Sequence, residues 1–293
     1  SDIHISRSMM ITLVLSTISL MIPMSLLTQK GYHSLWVWPI LLIAIFFIVN
    51  FIITNRQATH PIVHFHTLFS KKPFVGATMA ISSHLTLLTG IAGINVYIVR
   101  ILKLPFDISL HFYFFFFVGV IITGILKMFF YSSVGAGFLG TLGSSALLYV
   151  SIHWIILGNT INIPLLYIQG LLLGFGASMT LVSGSMATLL DGDLKEAAQR
   201  SQTMHTIRNF SAAMLIPIIA YTIKNHIQKG TQSIYAENIT DKMIYLKKLQ
   251  DVAIDADHQI FLLMIIFNMV MFVSSIIQMI LGKGRRITPP RES

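Results

Sequence analysis

Polar side chains inside otherwise uncharged runs are where this chain could do chemistry. His84 sits within the apolar stretch Phe74–Ile98, flanked by Ser82, Ser83 and Thr86, with Thr89 and Asn95 further along. An imidazole titrates near neutral pH, so His84 can carry a proton or meet a ligand; equally, it can bond to a neighbouring helix and stay neutral. Tyr167, Gln169 and Asn209 offer a similar choice between lining a cavity and joining two helices. His84, Asn95, Tyr167, Gln169 and Asn209 are therefore the candidate substrate-binding residues. Ionisable groups are costly in lipid and mark function when they occur there. The acids fall elsewhere: Asp107, Asp191, Asp193, Glu196 and the five from Glu237 to Asp257 all read as helix ends or loops. No carboxylate is expected inside the membrane, so a carboxylate proton relay would have to lie outside this chain.

Metal and catalytic patterns are weak. His60 and His64 have the i, i+4 spacing that holds zinc on a helix, but Pro61 interrupts the pair and no acid or cysteine is near. There is no GxSxG, no HExxH and no phosphate-cradling glycine loop, and no nucleophile–base or acid–base pair. No enzyme, metal or cofactor is expected. The absence of cysteine excludes disulfides.

The elements that hold these residues follow from composition. Of 293 residues, 54% are hydrophobic and 11% charged, and the mean hydropathy is +0.75. So little polar surface cannot cover so much apolar surface in water, which makes this a multi-pass, all-α membrane bundle. Eight apolar segments can be read: Met9–Leu27, Leu35–Ile53, Phe74–Ile98, Ile108–Leu126, Val134–Ile156, Leu165–Leu190, Met204–Ile223 and Ile260–Leu281. The sixth is uncharged and, at ~1.5 Å per residue, longer than a ~30 Å hydrocarbon core. Its small residues, Gly170, Gly174, Ala177, Ser178 and Gly184 among them, recur at spacings that let helices approach closely in lipid. A glycine-rich helix beside a cavity can also shift, so Gly170, Gly174 and Gly176 are gating candidates.

A net charge of +9 would suggest nucleic acid in a soluble protein. Here the Lys and Arg lie in short connections, where they orient the chain and meet anionic lipid, and nucleic-acid binding is discarded. With both termini cytoplasmic, twelve Lys and Arg fall inside and three in the short outer loops. Trp36, Trp38 and Trp154 then all lie at outer helix ends. Between the second and third spans, Ile62, Phe65 and Phe69 share a helical face, predicting an amphipathic surface helix over 56–73. The last outer loop, 224–259, is the one extended polar region, with a short surface helix expected through Met243, Leu246, Leu249 and Ala253. The basic tail 283–293 is expected as a cytoplasmic anchor.

Several stretches resemble the fourteen-helix drug:proton antiporter branch of the major facilitator superfamily. His60-Pro61-Ile62-Val63 through Leu68-Phe69-Ser70-Lys71-Lys72-Pro73-Phe74 is similar to that family's entry into its second six-helix domain. Gly174-Phe175-Gly176-Ala177-Ser178, then His205-Thr206-Ile207-Arg208-Asn209-Phe210-Ser211-Ala212-Ala213, looks like its glycine-rich helix and the "N-x-x-R-x-x-G-G" continuation, with Arg208 on the Arg. The resemblance implies two linker helices (1–55), the surface helix (56–73), a six-helix C-terminal domain (74–282) and the tail. It also implies a bacterial inner-membrane protein that exports small amphipathic, drug-like compounds with the proton as coupling ion. On that reading Ser1 begins a piece of a longer chain, whose N-terminal six-helix half completes the cavity. Departures are plain: Gly124-Ile125-Leu126-Lys127 lacks the family's Asp-Arg pair, and Val99 stands where a Gln is usual. A metabolite or siderophore transporter of the same superfamily, and a truncated, non-transporting scaffold, are the alternative readings.

Overall fold

The computed structural model describes residues 7–285, and among these there are helices and turns but no strand. Seven helices are long and apolar enough to cross a membrane: α1 (Arg7–Lys30), α2 (Trp38–Gln57), α3 (Lys71–Asn95), α4 (Phe106–Trp154), α5 (Ile163–Leu190), α6 (Ala197–Ala236) and α7 (Lys242–Ile280). The multi-pass, all-helical expectation therefore holds.

Eight segments become seven helices because the fourth and fifth run together as α4. Its 49 residues would reach over 70 Å if straight, about twice a bilayer core. Gly135 breaks it, with φ 82° and ψ 172°, values an L side chain rarely adopts. The stretch from Lys127 to Ser133, expected as a connection, stays helical because no Gly or Pro occurs until Gly135. A methyl group at Gly135 would also meet the backbone of Lys283.

Contacts between distant parts follow an alternating path. Gln278 Nε2 donates to the Lys72 carbonyl at 3.1 Å, and Arg285 N–H to Asp191 Oδ1 at 2.7 Å, at the end of the bundle where the described termini lie. His258 Nε2 meets the Leu157 carbonyl at 2.8 Å and Lys224 Nζ the Thr28 carbonyl at 2.8 Å at the far end. α3, α4, α5 and α7 pack on one another, with α6 at their edge. The α1–α2 hairpin joins through α1 on α6, where Met24, Leu27 and Val37 pack against Met214, Ile218 and Tyr221.

Two connections differ from expectation. Over 58–70 the chain forms only a short helical turn, Phe65–Leu68, rather than an amphipathic helix. Asn55 holds it, accepting from the Ile62 and Val63 amides and donating to the Val63 carbonyl, which satisfies backbone groups in place of helical bonds. The expected 224–259 loop is a helical hairpin: α6 continues to Ala236, and the predicted short surface helix is the first part of α7. Residues 286–293 of the tail lie outside the described residues.

α5 is the packing axis. A methyl at Gly170 would press on Phe112, one at Gly174 would overlap the Phe116 carbonyl, and one at Gly176 would meet the Gly143 carbonyl and Leu147. These glycines let α5 lie against both halves of α4. Ser83 Oγ donates to the Ala177 carbonyl at 2.6 Å and ties α3 to the same helix.

Candidate functional site

The candidate residues separate into three places. His84, on α3, lies within electrostatic reach of Arg208 on α6, as does His205 one turn before Arg208. All three are half-buried. Arg208 Nε and His205 Nδ1 are buried without a hydrogen-bond partner, and Arg208 Nη2 makes only a 3.4 Å contact to Asn209 Oδ1. Neither ion pair among the described residues, His66–Glu196 and Lys248–Glu237, involves this group. Asn209 itself is exposed. A guanidinium with an unused donor beside two imidazoles can hold an anionic or acceptor-bearing group. In the sequence His84 and Arg208 stand out separately, while His205 opens the stretch that contains Arg208 and carries no signal of its own.

Asn95 belongs to a second place, a cavity of about 1020 Å³ toward the far end, between α1, α3, α4 and α6. A six-residue turn of π-helix, Val96–Ile101, ends α3 and puts Val96, Val99 and Arg100 on the wall. Such turns widen a helix and often occur at functional sites. Tyr113 closes another side and donates its hydroxyl to Asn95 Oδ1. Lys224, Gln228, Thr28 and Ser109 add to the polar lining; Ala92, Phe106, Ala220 and Ile223 are among the apolar part. Arg100, itself exposed, lines the cavity as well.

Gln169 and Tyr167 are in neither group. Gln169 is buried, its Oε1 accepting the Trp154 indole N–H at 2.8 Å and its Nε2 lying 2.8 Å from His153 Nδ1. It joins α5 to α4 and is not part of the wall of the cavity of about 1020 Å³. Trp154, expected at the lipid interface, is fully buried by that bond and by Phe112 and Phe261. Tyr167 stacks on Phe115, ring centres 5.5 Å apart, and stands beside His111. Gly170, Gly174 and Gly176 lie at close helix contacts as described above.

One acid departs from the expectation that every carboxylate sits at an end or in a loop. Asp257, on α7, is 1% exposed, and both its oxygens are without a hydrogen-bond partner. Its local sequence, Asp255-Ala256-Asp257-His258-Gln259, looks like a solvated loop. The burial comes from chain segments about 100 residues and more away, which no local pattern reveals.

No protein-family model and no curated protein matches the chain.

Proposed function

We propose that this protein moves small amphipathic solutes across a membrane by alternating access, as a transporter of the major facilitator kind. The observation that carries the reading is the cavity of about 1020 Å³ among span-length helices, with apolar walls and a few convergent polar groups, Asn95, Arg100 and Tyr113. Concave, mostly apolar sites with sparse polar anchors suit amphipathic ligands. Five packed helices, one of them (α4) broken at Gly135 into two passes, together with the two-helix appendage, agree in number of passes with two linkers and a six-span C-terminal domain, and an N-terminal half in the same transporter would supply the facing wall. Efflux of drug-like compounds in exchange for protons, across a bacterial inner membrane with both termini cytoplasmic, remains the specific form of the proposal.

A second reading of the solute has its own support. Arg208 is a cation with no acid paired to it among the described residues and has two imidazoles, His205 and His84, near it, so a carboxylate-bearing metabolite or siderophore suits this face better than a cationic drug.

The experiment is a solute panel in cells expressing the protein from its complete reading frame, with export and membrane abundance measured together. His84→Ala is expected to reduce export more than abundance. Equal loss of both would make His84 a packing residue, and preference for anionic over cationic members of the panel decides between the two solutes.

A further inference from the structure

Asp257 is the one buried carboxylate on α7, and its surroundings are specific. Ile254 and Phe261, about one turn before and after it on α7, belong to one buried apolar cluster with Tyr97 at the end of α3, Trp154 at the end of α4 and Leu157 just beyond it. Tyr97 lies within electrostatic reach of it. The Tyr97 hydroxyl donates to the Gly158 carbonyl and has the Thr160 carbonyl at 3.3 Å, so its hydrogen is engaged there and is not given to Asp257. His258, the next residue, directs Nε2 to the Leu157 carbonyl. His153, on α4, is bonded to Gln169. Of the cations at this end, Arg100, Lys103 and Lys229 are exposed, and no cation is in electrostatic reach of Asp257 among the described residues.

A bare carboxylate here would have lost its water and gained neither a donor nor a counter-ion. Burying such an ion costs several kcal/mol. A neutral carboxyl carries no such penalty and can itself donate to an acceptor. A metal ion is a poor alternative, because it needs several oxygen or nitrogen ligands and no group of three His, Asp or Glu side chains with that arrangement occurs among the described residues.

We propose that Asp257 is a proton-binding site at the far end of the bundle, held as a neutral carboxyl between α7, the end of α3 and the α4–α5 connection. The bond formed is the carboxyl O–H, its proton taken from water at that end and returned there. Ionisation would leave a charge among Phe261, Trp154 and Leu157, which loosens α7 from Tyr97 and the 157–160 connection. The site stands independently of the transport reading, since proton binding is measured without any solute.

The test is infrared difference spectroscopy of the purified protein in lipid nanodiscs, titrated from neutral to alkaline pH, comparing wild type with Asp257→Asn. The expected result is a carboxylic-acid C=O band at neutral pH that shifts in D₂O, converts to carboxylate on alkaline titration and is lost in Asp257→Asn. Asn keeps the shape of the neutral acid, so the variant is expected to fold with unchanged helix content. Should it not fold, Asp257→Glu keeps the carboxyl, and a displaced band in that variant supports the assignment as well. Identical acid bands in wild type and variant, or a carboxylate signal already present at neutral pH and removed by the substitution, would overturn it.

Discussion

Arg200 Nε donates to the carbonyl oxygen of Thr188 at 2.8 Å, and Nη2 of the same side chain reaches Leu189 at 2.9 Å. Nη1 donates to the Asp193 carbonyl, and the side chain is 1% exposed. The last carbonyls of a helix have no partner within it, and a cation there also meets the negative end of the helix dipole. Arg200, from the start of α6, thus caps α5 and fixes the turn between the two helices.

Replacing this side chain tests the cap. Arg200→Met keeps bulk but leaves three carbonyls unpaired, with an expected loss of at least about 2 kcal/mol. Arg200→Lys recovers only part, because an ammonium cannot match the planar fork. Thermal melting of the three proteins in one detergent checks the order wild type, Lys, Met.

Asp191 follows a different rule. Burial raises its carboxyl above the ordinary range, opposed by the Arg285 N–H and by Lys72, Arg285 and Arg200. A raised value in the folded state means that the folded protein holds the proton more tightly than the unfolded chain. Its contribution is therefore most favourable in acid and is lost as pH rises through the raised value. Asp191→Asn, which keeps an acceptor for Arg285, is expected to melt at or above wild type at neutral pH, with the gap closing as pH falls below about 4, the unfolded carboxyl range. Asp191→Ala loses the acceptor and is expected to melt lower than Asn throughout.

At Gly174, a β-carbon would strike the Phe116 carbonyl. Gly174→Val is expected to lose about 1–3 kcal/mol or more by forcing α5 from α4. The exposed Gly158, with open space about it, is the control: Gly158→Val is expected to leave the melting temperature nearly unchanged.

Gln169→Leu removes the acceptor of the buried Trp154 indole, an expected loss of about 1–3 kcal/mol. Because Gln169 is not part of the wall of the cavity of about 1020 Å³, solute selectivity is expected to stay as in wild type. A changed selectivity at unchanged stability would return Gln169 to the solute path.

What the sequence discloses, and what it hides, follows from range. α5 was legible because an uncharged run with small residues at helical spacing has one physical solution in lipid. The two passes of α4 were legible as hydrophobicity but not as one helix, since the break at Gly135 depends on a backbone angle and on Lys283. His84 and Arg208 could each be marked as polar groups in apolar runs, yet their juxtaposition is set by α3 meeting α6. Gln169 and Asn95 look alike in sequence; Trp154 claims one and Tyr113, at a cavity, the other. Asp257 was hidden because its neighbours on the chain are polar and its neighbours in space are not.

The most direct measurement for the transport account is solute flux in proteoliposomes carrying the protein from its complete reading frame, with an imposed pH gradient and a fluorescent amphipathic solute. The account predicts flux that collapses when the gradient is dissipated, and that falls at least about tenfold in Ala220→Trp, whose indole intrudes into the cavity from α6, while Ile168→Trp on an exposed face of α5 behaves as wild type. Flux no greater than in protein-free vesicles, or equal flux in Ala220→Trp and wild type, would contradict it.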